Sequence, residues 1–303
     1  MSNYSDSSFD PDAANSSWYK VFHLIPEKST VLDIGCSSGN FGAELIKRKK
    51  CTVDGIEIFE KDAELARKHL RDVWVLDIER DDLSDIKPKY DIVYFGDVVE
   101  HLVTPVESLA RIKKLLKPTG KIIFSIPNMA HATVRLLLLK GDFDYTETGL
   151  LDKTHLHFYN QKEVYRVFES SGYEIDELSF VEKDYPNELL KDYAEEIGLT
   201  PNDKFYERMH RPDAAAFQFV GSASISKSPK KAKKLKQFGP IDMFESYYNN
   251  TINPLRERVE ELEKSHATLE ARNKQLEERW QQIKRQPAKF AVNAVRSKLK
   301  PKK

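Results

Sequence analysis

The chain has 303 residues, enough for one large α/β domain plus an appendage. Its 48 lysines and arginines balance 48 aspartates and glutamates, so no global charge argues for nucleic acid as a partner. With 40% apolar and 32% charged residues it is polar enough to suggest a solvated extension. Cys36 and Cys51 are too few for a disulfide framework or a thiolate metal centre, and they fit a reducing compartment. No basic-then-apolar leader and no apolar run of membrane length is found, so a soluble, cytoplasmic protein is expected.

Residues 1–14, rich in serine and aspartate, are expected to be a mobile N-terminus. Asn15 to Ile25 carries Trp18, Val21, Phe22 and Ile25 at helical spacing, which predicts a helix that either covers a ligand cleft or packs like any other. Val31 to Gly42 (VLDIGCSSGNFG) reads as an apolar strand, a turn punctuated by Gly35 and Gly39, and a helix that Gly42 lets start close to the sheet. The dinucleotide fingerprint would need glycine at Ser37 and Asn40. The looser turn suits a ligand without a pyrophosphate, and S-adenosylmethionine is the obvious one.

Further along, Thr52 to Ile58 predicts a second strand ending near Glu57, placed to accept ribose hydroxyls or else an ordinary solvated carboxylate. Val73 to Ile78 predicts a third, with Asp77 near its end and suitably placed for an adenine amino group. Tyr90 to Asp97 is the fourth, followed by a helical stretch to Leu116. Lys117 to Gly120 reads as a turn, and Lys121 to Ile126 as a fifth strand ending at Pro127-Asn128.

The segments VLDIGCSSGNFG, GIEI, VLDIE, YDIVYFGDVVEHL and LKPTGKIIFSIPN stand in the order seen in class I S-adenosylmethionine-dependent methyltransferases, which this chain resembles. GDFDYTETGLLDKTHLHFYN is similar to the acceptor side of a bacterial branch associated with sugar and surface-polysaccharide assembly, and the matches span residues 15 to 181. Ser37 departs from the commoner glycine. The resemblance implies a Rossmann-like α/β domain over 15–225 with a mostly parallel seven-stranded sheet. Tyr173 to Val181 and Ala214 to Ser224 would be its closing antiparallel pair. It also implies S-adenosylmethionine as cofactor, held by Asp33, Gly35, Ser37, Gly39, Glu57, Ile58, Asp77, Ile78 and Asp97.

Methyl transfer from a sulfonium needs alignment, and a neutral alcohol must also lose its proton to a positioned base. His155, close to Asp152 and Thr154, is the preferred base or orienting residue, with a backbone-bonded structural histidine as the bland reading. His157, two residues on, would share its face in an extended segment. If a helix starts near Asp97, then Asp97, Glu100 and His101 share one face beside the acceptor. Together with His155 they could hold a divalent cation, an arrangement similar to that of some quinone-biosynthesis and small-RNA methyltransferases, though the shorter Asp97 weakens it. The expectation is therefore no metal.

Met129 to Leu139 is expected to roof the acceptor cleft. Phe143, Tyr145, Phe158 and Tyr159 supply aromatic surface for a sugar ring or for a core. Gln161 to Ser171 is helical, and residues 182–213 look like an insertion.

From Ser226 the composition shifts to a lysine-rich linker, 226–251. Residues 252–286 place Leu255, Val259, Leu262, His266, Leu269, Asn273, Leu276, Trp280 and Ile283 at alternating gaps of four and three, a coiled-coil seam expected to form a parallel homodimer. The basic tail, 287–303, either contacts an anionic membrane surface or a glycan-assembly protein, or is solvated. The expected function is methylation of a hydroxyl on a sugar or bacterial surface glycan. The alternatives are a quinone-type small-molecule O-methyltransferase and a silent scaffold that binds the methyl donor and acts through its coil.

Overall fold

In the computed structural model, which describes residues 10, 12–87, 89–227 and 253–286, the chain separates into two compact units, 1–233 and 234–303. The first is built on strands β1 (Thr30–Ile34), β2 (Thr52–Glu57), β3 (Val73–Val75), β4 (Tyr90–Gly96), β5 (Leu116–Pro127), β6 (Tyr173–Glu182) and β7 (Ala216–Ile225). They form one seven-stranded sheet in the order β3-β2-β1-β4-β5-β7-β6. The first five strands are parallel, and β7 runs antiparallel to both β5 and β6. This is the Rossmann-like methyltransferase fold, with the closing antiparallel pair where the sequence put it.

Both faces of the sheet are covered, which is why β1 and β4 read as nearly unbroken apolar runs. Side chains alternate between the faces. Leu32, Ile34, Val93, Phe95, Ile122 and Phe124 join one apolar cluster. Val31, Val53, Ile92, Tyr94 and Ile123 join the other. Order reverses at β1, flanked by β2 and β4, and such a reversal opens a crevice beyond the strands' carboxyl ends.

The helices are α1 (Ser17–Leu24), α2 (Asn40–Lys49), α3 (Glu60–Ala66), α4 (Pro105–Ile112), α5 (Ala132–Lys140), α6 (Gln161–Ser170), α7 (Asn187–Glu196), α8 (Asp203–Met209) and α9 (Pro212–Ala215). Ser16 caps α1 by accepting the Tyr19 N–H. The supposed insertion at 182–213 is helical, and Leu190, Met209 and Ala214 pack on Ala132 and Leu136 of α5.

Three expectations are corrected. The third strand stops at Val75 because Asp77 and Asp81 carboxylates accept the N–H groups of Glu79 and Asp77, turning the chain out of the ladder. The helix expected from Asp97 to Leu116 is broken. Asp97 sits in the left-handed region, a 3₁₀ turn covers Val99–His101, and α4 starts afresh with Pro105 in its first turn. Lys117 to Gly120 does not end an element. The β4–β5 register jumps from Tyr90↔Leu116 to Ile92↔Lys121, so the extra residues bulge within β5.

The second unit is represented by α10 (Asn253–Arg285), a continuous helix with no buried residue. Residues 1–9, most of the linker (228–251) and the basic tail (287–303) lie outside the described residues. No described helix is long and apolar enough to cross a membrane.

Asp54 on β2 is fully buried and accepts from the Tyr90 hydroxyl (2.7 Å) and from Arg71 Nε (2.8 Å). Asp54→Ala leaves the buried Tyr90 hydroxyl unpaired and should cost about 2 kcal/mol of unfolding free energy in urea titrations. Asp54→Asn, which keeps an acceptor, should cost less.

Candidate functional site

Strand β1 runs straight into a turn in which Gly35 (φ 69°), Ser37 (φ 49°) and Gly39 (φ 78°) all adopt left-handed conformations. Gly35 and Cys36 donate their N–H groups to the Ile56 carbonyl, which ties the turn to β2. A Cβ at Gly35 would meet Val98 Cγ2 at 2.9 Å, so this position has neither the conformation nor the space for a side chain. Ser37 has no such freedom and is held by a carboxylate. Its N–H donates to Glu57 Oε2 at 2.8 Å, while Glu57 Oε1 accepts the Phe59 N–H at 3.0 Å. The α2 N-terminus follows directly, with Gly39 as its cap residue.

Beyond these strand ends lies a cavity of about 580 Å³. Of the expected cofactor residues, Asp33, Gly35, Ser37, Glu57, Ile58 and Asp97 line it. Gly39, Asp77 and Ile78 do not; Ile78 is buried in the core, and Asp77 is engaged in the turn after β3. Trp18, Asn40, Phe41, Tyr94 and Lys153 complete much of the wall. Asp33, Glu57, Asp97, Glu147 and Asp152 give that wall an acidic character. Burial, reinforced by the neighbouring Glu57, pushes the Asp33 carboxyl up to about 8. Burial also raises Asp97, against hydrogen bonds that favour its carboxylate. Gln218 Nε2 on β7 donates to both Asp97 oxygens at 2.9 Å, a contact spanning 121 residues that no local pattern announces.

On the acceptor side, His101 lines the cavity, while Glu100 and His155 do not. His101 Nδ1 lies 3.1 Å from the Thr154 carbonyl oxygen and 3.2 Å from Thr154 Oγ1. A carbonyl oxygen only accepts, so Nδ1 carries a proton, and in the neutral ring the lone pair is on Nε2. Thr154 Oγ1 donates in turn to Asp152 Oδ1 at 2.7 Å. Burial disfavours the Asp152 carboxylate, but the bonds from the Thr154 hydroxyl and N–H outweigh it and hold the group below the usual range.

His155, by contrast, is buried with Nδ1 3.3 Å from the Leu150 carbonyl. Burial, and then the adjacent His101, lower its pKa. His157 has a separate partner, with Nε2 3.3 Å from the Val103 carbonyl. Glu100 is fully buried, and among the described residues neither carboxylate oxygen has a hydrogen-bond partner; His155 Nε2 lies 4.0 Å from Oε1. Burial drives the Glu100 pKa well above the ordinary carboxylate value.

Asp97, Glu100 and His101 do not share a helix face. The left-handed bend at Asp97 and the tighter 3₁₀ turn after it aim Asp97 at Gln218, and Glu100 and His101 toward His155. Among the described residues, Glu100, His101 and His155 bring one ligand atom each within 4.8 Å of one another, and Asp97 stands outside that group.

A family model described as a methyltransferase domain matches residues 13–178. A ubiquinone biosynthesis O-methyltransferase of Neisseria meningitidis is 34% identical over 119 residues, which cover 37% of this chain and 50% of that protein. A trans-aconitate 2-methyltransferase of Deinococcus radiodurans is 31% identical over 130 residues, covering 42% and 50%. The chain thus spans about half the length of these curated relatives. A solved SAM-dependent methyltransferase of Archaeoglobus fulgidus aligns with a TM-score of 0.49 at 19% identity, over 71% of this chain and 94% of that one.

Asp33 yields a pH prediction. Its folded-state pKa is raised from 3.8 to about 8, so the stability it contributes is complete below the lower value and is lost as pH rises through the upper one. Asp33→Asn stays neutral throughout. In urea unfolding at a series of pH values, the variant should therefore gain on the parent as pH climbs across that window and level off above it.

Proposed function

The chain belongs to the methyltransferase-domain family, and from that premise we propose that it is an O-methyltransferase acting on a hydroxyl of a sugar or glycan. S-adenosylmethionine is the cofactor and supplies a methyl group already activated on a sulfonium. The residues present fit it. An acid-rich wall suits a ligand carrying sulfonium and ammonium charges, and Gly35 lies where a Cβ would collide. Each Glu57 oxygen accepts one backbone N–H and keeps a second lone pair for a ribose hydroxyl. Glu57 would hold the ribose, with Asp33 and Asp97 facing the charged end.

His101 takes the proton from the acceptor hydroxyl. The observation that carries this assignment is the Asp152–Thr154–His101 chain at the cavity wall, which fixes the imidazole in the tautomer whose Nε2 is basic. The ionised Asp152 steadies the imidazolium that forms. His155, the base preferred from sequence, is buried behind His101 at a ring separation of 4.8 Å and acts as its support.

A second reading rests on Glu100. A buried carboxylate with two orphaned oxygens beside two histidines is a donor set for a divalent cation, which would acidify the acceptor hydroxyl as a Lewis acid.

The sugar reading is supported by the resemblance of the acceptor segment and by the polar rim of Glu147, Lys153 and Thr154. It is supported further by the exposed aromatic group of Phe143, Tyr145 and Phe158 on the same segment. A quinone-type acceptor is supported by the likeness to the Neisseria ubiquinone biosynthesis O-methyltransferase.

The test is label transfer from methyl-labelled S-adenosylmethionine to a panel of glycan fragments, nucleotide sugars and prenylated catechols. Label in a sugar supports the proposal, and label confined to catechols replaces it with the quinone reading. Donor binding with no acceptor labelled points to a scaffold. His101→Ala should lower kcat by about 10²–10⁴-fold with donor affinity retained. Chelator-sensitive activity restored by added Mg²⁺ would favour the cation.

A further inference from the structure

Helix α10 carries an apolar seam that the catalytic reading does not use. Leu255, Val259, Leu262, Leu269, Leu276 and Trp280 are each 54–60% exposed. The helix has 33 residues, about 50 Å at 1.5 Å rise per residue, and buries none of them. Six large apolar side chains left in water along one line leave a burial free energy unrealised, and a second surface can recover it.

The period of the seam says what kind of surface. With His266, Asn273 and Ile283 included, its members recur at alternating intervals of four and three, a mean of 3.5 rather than 3.6 residues, which is the repeat of a left-handed coiled coil. Leucine fills four of the five d positions, β-branched Val259 takes one a position, and Asn273 takes another, a pattern that favours two strands.

We propose that α10 pairs with α10 of a second copy of this chain as a parallel, in-register, two-stranded coiled coil. The flanking charges select both the partner and its direction. Arg258, Arg272 and Arg279 lie on one flank of the seam, and Glu263, Glu270 and Glu277 on the other. In a parallel pair, Arg258 of one copy faces Glu263 of the other, and Arg272 faces Glu277. An antiparallel pair sets the arginine flank against itself and the glutamate flank against itself, so like charges meet on both sides. The polar seam residues agree. Parallel pairing in register brings Asn273 onto Asn273, where the two amides bond each other; antiparallel pairing puts each amide against leucine. In the single helix the Arg258 guanidinium contacts Glu261 at 2.7 Å across an exposed surface, a weak bond that leaves it available for exchange. Arg279 and Lys284 would face each other as like charges, so the pairing is weakest at its C-terminal end.

The proposal stands on this helix alone and is independent of the acceptor. Sedimentation equilibrium of the full chain at tens of micromolar should return the mass of a dimer. Leu262→Glu combined with Leu269→Glu should weaken self-association at least about 100-fold, with S-adenosylmethionine binding as in the parent. A chain with Arg258→Glu and Arg272→Glu, and another with Glu263→Arg and Glu277→Arg, should each associate poorly and should dimerise when mixed. Leu262→Cys should oxidise to a covalent dimer, because parallel pairing in register brings position 262 onto itself. A monomeric parent, a trimeric mass, association that survives the paired glutamates, or a dimer that fails to cross-link at position 262 would each overturn the proposal.

Discussion

The Glu57 carboxylate is the constraint on which the cofactor side of the site depends. It stands at the tip of β2, nearly buried, and accepts the N–H groups of Ser37 and Phe59. Holding Ser37, a residue with a Cβ, in the left-handed region costs roughly 1–2 kcal/mol. A hydrogen bond from that N–H to a carboxylate is worth about 1.5–3 kcal/mol, enough to offset the strain. The same carboxylate therefore shapes the turn and faces the cavity. A change there alters geometry and recognition together.

Crowding acids into a low-dielectric wall works against stability. Asp33 and Asp97 in that wall, and Glu100 outside it, are all pushed toward their neutral forms by burial. Such groups are retained where a ligand or a reacting proton uses them, and a cationic methyl donor is one such ligand. The acceptor side is organised differently. Thr154 and Asp152, on the loop before His155, fix the His101 ring, while Leu156 and His157 donate their N–H groups to the Glu100 carbonyl. Those two bonds tie the 3₁₀ turn after β4 to the loop, so His101 and the loop that holds its ring form one piece.

The sheet was legible in the sequence because its central strands are buried on both faces and read as apolar runs. The glycine turn was legible because its backbone angles demand particular residues. Elements shaped by distant or side-chain partners were not. The helix expected from Asp97 fails because that residue answers to Gln218, 121 positions away. The third strand is cut short by carboxylates capping their own backbone, a competition that alternation of apolar residues does not register. Likewise, His155, beside Asp152 and Thr154, is the preferred base over His101 when only the sequence is known. The burial of His155 and the place of His101 on the cavity wall separate them, and both are properties of the folded chain.

Titration calorimetry with S-adenosylmethionine, on the full chain and on Glu57→Gln, tests the central claim most directly. Glutamine can still accept from one of the two N–H groups but presents an amide to the other. The account predicts heat of binding for the parent and an affinity at least about tenfold lower for the variant, a loss of roughly 1.4 kcal/mol or more. No heat from the parent, or equal affinities in the two proteins, would contradict it.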